Sequence, residues 1–85
     1  MFKIWARTIK KDKIVNEYIY TRKQDFDENK FYEYLMDICK ELDLETPIAL
    51  KKHINNFVEF NSVKFIKEDF LDKINFDYFI LENVS

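Results

Sequence analysis

The chain of 85 residues contains no glycine. Phosphate-binding loops, dinucleotide-binding loops and nucleophile elbows all depend on glycine, because they need a sharp turn or a close backbone approach. None of these motifs can be built here. The absence excludes the enzyme classes that are recognised by them.

Cysteine and histidine are almost as scarce, with Cys39 and His53 as the only examples. A single cysteine forms no internal disulfide, which favours a reducing cytosol. A lone titratable side chain without a positioned partner is not a catalytic site. We therefore interpret His53 as structural and Cys39 as an inert, buried thiol. We expect a non-enzymatic cytoplasmic protein without catalytic residues, metal or cofactor.

Long apolar runs and strong charge are also missing. The longest apolar run, Tyr78–Leu81, is far shorter than the roughly 20 residues that span a bilayer. The N-terminus lacks the apolar stretch of a signal peptide. The net charge is −2, whereas duplex-binding domains are usually basic. We expect no membrane association, and a protein partner is favoured over nucleic acid.

Aromatic residues are abundant, at 18% of the chain. Large rings supply much apolar area per residue, which helps a small chain to build a core. The length fits one domain over residues 1–85.

Alternation at the N-terminus predicts a β-hairpin. In Phe2–Ile9, one face carries Phe2, Ile4, Ala6 and Thr8, and the other carries Lys3, Trp5, Arg7 and Ile9. Ile14–Thr21 is rich in β-branched and aromatic residues and is predicted to pair back. Since two-residue hairpin turns favour glycine, we expect a longer or type I-based turn around Lys10–Asp12.

Two segments with apolar residues at helical spacing follow the hairpin. Asp25 with Glu28 predicts a capped helix start, and Phe31, Leu35, Ile38 and Leu42 form a stripe that ends near Asp43. Thr46 and Pro47 predict the start of a second helix, with an apolar face of Leu50, Ile54 and Phe57 and with Val58 at its edge.

The C-terminal part predicts a short strand at Val63–Ile66, a turn over Lys67–Lys73 and a fourth strand at Ile74–Glu82. The order β-β-α-α-β-β predicts an α+β fold, with an antiparallel sheet of about four strands packed on one side by two helices. Either face of the fourth strand carries large apolar residues. One set must face away from the helices, so we expect a homodimer through the sheet face or edge, with Trp5 near the contact.

Short motifs are spread along most of the chain in a fixed order. They are Lys3-Ile4-Trp5-Ala6-Arg7, Ile38-Cys39-Lys40-Glu41-Leu42-Asp43-Leu44, Pro47-Ile48-Ala49-Leu50, Phe57, Phe65, Phe70 and Phe76-Asp77-Tyr78. In these motifs the chain resembles a family of short, uncharacterised bacterial proteins. The resemblance implies a shared fold and no known activity. Residues Glu59–Lys64 are less basic here than in that family, which argues against a basic-patch function.

Two acidic segments resemble a metal site and a catalytic site, but each lacks a feature that such a site requires. Asp25-x-Asp27-x-Asn29 begins like a calcium loop, but Lys30 replaces the required glycine and Met36 replaces the bidentate glutamate. The segment is therefore interpreted as a helix start. Glu68, Asp69 and Asp72 are interpreted as a solvated turn, since a sugar-cleaving carboxylate pair needs a cleft with substantial walls.

The favoured function is a protein-interaction module or homodimeric adaptor. Its candidate contact residues are Trp5, Tyr18, Tyr20, Tyr32 and Met36. Tyr32, Met36 and Cys39 follow helical spacing, which indicates either a wide buried face or a partner surface. The alternative function is single-stranded nucleic-acid binding, in which Trp5, Tyr18 and Tyr20 join Lys3 and Arg7 in a stacking platform.

Overall fold

A computed structural model describes all 85 residues of the chain. It contains an antiparallel four-stranded sheet and two helices in the order β-β-α-α-β-β, which confirms the predicted α+β fold. The elements are β1 Phe2–Lys10, β2 Lys13–Arg22, α1 Phe31–Glu41, α2 Lys51–Phe60, β3 Ser62–Ile66 and β4 Tyr78–Asn83. The spatial order β2-β1-β4-β3 places β1 and β4 at the centre and leaves β2 and β3 as the edges.

The core lies between the sheet and the helices. Alternate side chains of β1, including Ile4 and Ala6, are fully buried. They belong to one cluster of 17 buried apolar residues, which also includes the stripe predicted for the first helix. All four stripe residues are buried, which confirms that period; Leu42 lies just beyond the end of the helix.

The hairpin turn differs from the prediction of a longer or type I-based turn. Lys10 pairs with Lys13, so the loop has only two residues, and Lys11 and Asp12 have φ of 51° and 64°. Positive φ at both positions is the signature of a type I′ turn. Tertiary hydrogen bonds hold it without glycine: Lys11 N–H donates to the Asp77 carboxylate at 2.9 Å, and Asp77 N–H donates to the Ile9 carbonyl at 2.7 Å.

The first helix begins later than predicted. The capping residue is Asp27 and not Asp25, because the Asp27 carboxylate accepts from Asn29 N–H at 3.0 Å. A 3₁₀ turn over Glu28–Lys30 then leads into α1. Asp25 is exposed and lies 3.5 Å from the terminal amine.

The second helix also begins later, at Lys51 and not at Pro47. The preceding segment is held by the rest of the fold: Pro47 is buried, and Ile48 N–H donates to the Asp69 carbonyl at 2.8 Å. This long-range bond overrides the local start signal. Of the predicted face, Phe57 is buried and Ile54 packs against the core, and His53 is buried beside them. Leu50 is exposed, contrary to the prediction, and so is Val58 at the edge of the face.

The fourth strand starts at Tyr78 and not at Ile74. Before it, Phe70 and Phe76 pack edge to face with ring centroids 5.6 Å apart, and both are buried. The segment therefore folds as a loop that fills the core with rings, and strand pairing begins only after Asp77.

We predict that Lys11→Gly stabilises the protein, because Lys11 has a φ of 51° and glycine removes the steric cost of left-handed backbone, about 1–2 kcal/mol, which exceeds its extra unfolded-chain entropy. The free energy of unfolding in urea should rise by up to about 1 kcal/mol. Asp72→Gly, at a loop position without positive φ, is the control and should lower stability slightly. Equal destabilisation by both variants would contradict the strained turn.

Candidate interaction surface

The sheet has one face covered by the helices and one face without helices, which we call the open face. Cross-strand register arranges its central side chains in three rows, each running from β2 through β1 and β4 to β3. The first row is Ile14, Ile9, Tyr78 and Ile66; the second is Glu17, Arg7, Ile80 and Lys64; the third is Ile19, Trp5, Glu82 and Ser62.

The first row, which we call the apolar row, crosses all four strands without a charged residue. Ile14, Ile66 and Tyr78 are 44%, 39% and 38% exposed. Ile9 between them is half-buried. In the third row, Ile19 adds a further apolar side chain that is 50% exposed. Sheet faces in contact with water usually carry polar residues, so a continuous apolar row marks a surface suited to contact.

Arg7 organises the other two rows. Its guanidinium lies 3.9 Å from the centroid of the Trp5 ring and 3.2 Å from a Glu82 carboxylate oxygen. Trp5 Nε1 in turn donates to Glu17 at 2.9 Å. The second guanidinium nitrogen, Nη1, is buried and has no acceptor. One face of the indole is therefore already occupied by a cation of the same chain.

Lys64 provides the second cation of the open face. Its ammonium lies 4.4 Å from the centroid of the Tyr78 ring. Beside it, a hollow of about 440 Å³ opens between Arg7 and β3, and Ile80 and Glu82 contribute to its lining. The open face thus combines an apolar row with charges of both signs.

Tyr18 and Tyr20 lie on the opposite face from Trp5. They pair with Ala6 and Ile4, and Tyr20 is only 6% exposed. The Tyr20 hydroxyl donates to Asp37 at 2.7 Å, and burial, followed by this hydrogen bond, raises its pKa well above the ordinary value. The structure therefore does not assemble the predicted platform of Trp5 with these tyrosines.

A β-bulge explains this placement. The pairing of β1 with β2 shifts between Thr8 and Ile9, and Val15 is the extra residue of β2. Without the shift, the two-residue turn would set Trp5 opposite Tyr18. One inserted residue moves every later side chain of β2 to the other face. No residue type in β2 signals the bulge.

Tyr32 and Met36 lie apart from the open face, on α1, where they are 49% and 44% exposed. Cys39, predicted in the same stripe, is fully buried, and Tyr34 on this helix is buried too. The buried-face interpretation is therefore correct for Cys39 and wrong for Tyr32 and Met36, which form a small second patch.

His53 is buried and fully engaged. Its Nδ1 accepts from Leu50 N–H at 2.9 Å, and its Nε2 lies 3.4 Å from the Asp69 carboxylate. The ring stacks on Phe65 at 4.6 Å. Because Nδ1 accepts a hydrogen bond, Nε2 carries a ring proton and directs it at the Asp69 carboxylate. This arrangement agrees with a structural histidine that fixes the start of α2.

The acidic turn is only partly solvated. Glu68 and Asp72 are exposed, but Asp69 is half-buried and accepts from Ile66 N–H at 2.9 Å in addition to its contact with His53. No group of three or more His, Cys, Asp or Glu side chains is placed to hold a metal ion.

Neither helix has the length and apolarity needed to cross a bilayer. Comparison with protein-family models, curated proteins and solved structures finds no match to this chain. The resemblance to short bacterial proteins therefore stays a prediction, and function rests on the geometry of the open face.

We predict that His53→Ala lowers the free energy of unfolding by about 2–4 kcal/mol, since it leaves Leu50 N–H without its acceptor and opens a cavity against Phe65. Urea unfolding measures the loss. Lys52→Ala, at an exposed neighbouring position, should change stability by less than about 0.5 kcal/mol. A similar, small effect of both variants would contradict the structural role.

The Cys39 thiol gives a pH prediction. Burial raises its pKa to about 12, against a smaller lowering by the hydrogen bond to Thr46. The unfolded thiol ionises near pH 8.5, so its contribution to stability is complete below about pH 8.5 and is lost as pH rises toward the folded value. Between about pH 8.5 and 10, ionisation of this thiol in the unfolded chain should lower the wild-type free energy of unfolding by up to about 1.4 kcal/mol per pH unit. Cys39→Ala should lack this decrease. Identical slopes of unfolding free energy for both proteins would refute the shift.

Proposed function

We propose that this protein is a small, non-enzymatic cytosolic interaction module whose open face binds another protein surface. The observation that carries the proposal is the apolar row, which crosses all four strands and is left uncovered by the chain. Fully burying an exposed side chain of this kind contributes roughly 1.5–3 kcal/mol, and a side chain of the row, at about 40% exposure, can contribute a little under half of that. A partner that covers the whole row therefore gains a substantial binding energy.

The mixed chemistry of the open face supports a protein partner over nucleic acid. Base stacking requires a free aromatic face, but the Arg7 guanidinium occupies one face of Trp5. Glu17 and Glu82 add negative charge beside the ring. Phosphate binding requires excess cations, and here both signs are interspersed. Protein interfaces, by contrast, combine an apolar centre with a polar rim.

The patch of Tyr32 and Met36 on α1 is the weaker candidate within the same class. It offers two partly exposed side chains on one helix, whereas the apolar row alone offers four on a rigid sheet. Binding energy concentrates where adjacent side chains are desolvated together. The sheet surface is therefore favoured.

Affinity capture in the native cell with three baits tests the proposal: the wild type, Ile66→Lys on the open face, and Met36→Lys on α1. Both substituted positions are exposed, at 39% and 44%, so the fold should persist, which circular dichroism checks. A protein held by the wild type and Met36→Lys but lost with Ile66→Lys is expected, because lysine interrupts the apolar row. An additional copy of the chain itself counts as such a protein.

Two other outcomes would contradict the proposal. Loss of the bound protein only with Met36→Lys would move the contact to α1. Nucleic acid captured by the wild type and lost with Lys3→Ala, while no protein depends on Ile66, would favour the alternative function.

A further inference from the structure

We infer that the surface that covers the open face is the open face of a second copy, packed about a two-fold axis parallel to the strands. The inference rests on the proposed function and names its partner. It follows from the apolar row and from the two ends of the second row, which are complementary to themselves when the order of the strands is reversed.

A two-fold axis along the strands places β2 of one subunit over β3 of the other and keeps each row opposite the same row. In the apolar row, Ile14 then lies opposite Ile66 of the partner subunit, and Ile9 opposite Tyr78 of the partner subunit. Apolar side chains meet apolar side chains along the whole row. Sheets that pack face to face keep their strands within about 30° of each other, which this axis satisfies.

The second row supplies charge complementarity. Glu17 is on edge strand β2 and Lys64 is on edge strand β3 of the same row. Reversal of the row sets Glu17 opposite Lys64 of the partner subunit, and the symmetry repeats the pair at the other end. The two ion pairs lie at the two ends of the second row, at the rim of the interface, where charges determine the register of the two subunits more than their affinity.

The perpendicular axis in the plane of the interface is disfavoured by the same charges. Such an axis, when centred on the three rows, passes through the second row and sets that row against itself, so Glu17 would face Glu17 of the partner subunit and Arg7 would face Arg7 of the partner subunit. Like charges in contact oppose binding. Each axis sets one aromatic ring opposite Glu82 of the partner subunit, so that contact does not distinguish them. The charges of the second row therefore select the axis along the strands.

The available area fits a dimer of modest affinity. Because β2 lies over the partner's β3 and β1 over its β4, the strands of 5 and 6 residues limit the overlap, and at about 3.4 Å by 4.8 Å per residue its plan area is roughly 360 Å². Side-chain relief increases the accessible area, which still lies below the roughly 800 Å² per partner of a standard interface. Measurements must therefore extend to high micromolar concentration.

The test is a charge exchange, Glu17→Lys with Lys64→Glu, read by sedimentation equilibrium. Each single variant sets like charges opposite each other and should raise the dimer Kd about tenfold or more. The double variant restores both pairs and should return Kd to within about threefold of the wild type. Within one chain the two residues are three strands apart, about 14 Å between backbones, so only contact between subunits explains the restoration.

Two variants control for net charge. Glu33→Lys on α1 and Lys52→Glu on α2 make the same charge changes at exposed positions away from the sheet, and both should leave Kd unchanged. The emission of Trp5, the only tryptophan, gives a second measurement, because its environment on the open face changes with dimer formation.

A monomer at high micromolar concentration would overturn the inference, while a captured protein that depends on Ile66 would leave the proposed function standing. A dimer indifferent to both single variants would place the contact elsewhere. If the dimer Kd of the double variant were as high as that of the single variants, the axis along the strands would be refuted.

Discussion

The alternation of side chains along β1 is the constraint on which the rest of the structure depends. β1 is a central strand, paired on both sides, and its residues alternate between the core and the open face. Ile4 and Ala6 are fully buried, whereas Trp5 between them and Arg7 after them face the other way. A slip of one residue would exchange the two sets, burying a guanidinium and exposing the core. The register is therefore strongly specified, and with it the composition of the open face.

Left-handed backbone is a second constraint, since the chain has no glycine to adopt it. Four other residues have positive φ: Lys11, Asp12, Asp43 and Asn61. Asparagine and aspartate tolerate this conformation best, but Lys11 does not belong to that group. Hydrogen bonds to distant residues hold such positions, as with the Asp77 carboxylate and Lys11 N–H. Backbone strain at the turns is thus offset by contacts formed elsewhere in the fold.

Hydrogen bonding to backbone N–H groups also accounts for the positions of the acidic residues. Loops without glycine still carry backbone N–H groups that need acceptors. Carboxylates supply them: Asp27 accepts from Asn29, Asp69 accepts from Ile66, and Glu45 accepts from Leu71 and Asp72. The His53 imidazole does the same for Leu50. Side chains that resemble catalytic or metal-binding groups in the sequence are engaged in holding turns and helix ends, which leaves the sheet surface as the strongest functional candidate.

The sequence by itself determined the order of the elements, the two faces of β1, the buried stripe of α1 and the burial of Cys39, because short periods and residue types act locally. Tertiary structure decided where α2 and β4 begin, since the bond from Ile48 to Asp69 and the packing of Phe70 on Phe76 join distant segments. It also decided the face of Tyr18 and Tyr20. Which face a strand residue occupies depends on the turn before it and on every inserted residue, so one bulge in β2 placed these rings on the face opposite Trp5. The apolar row joins residues of all four strands, so it exists only in the folded sheet.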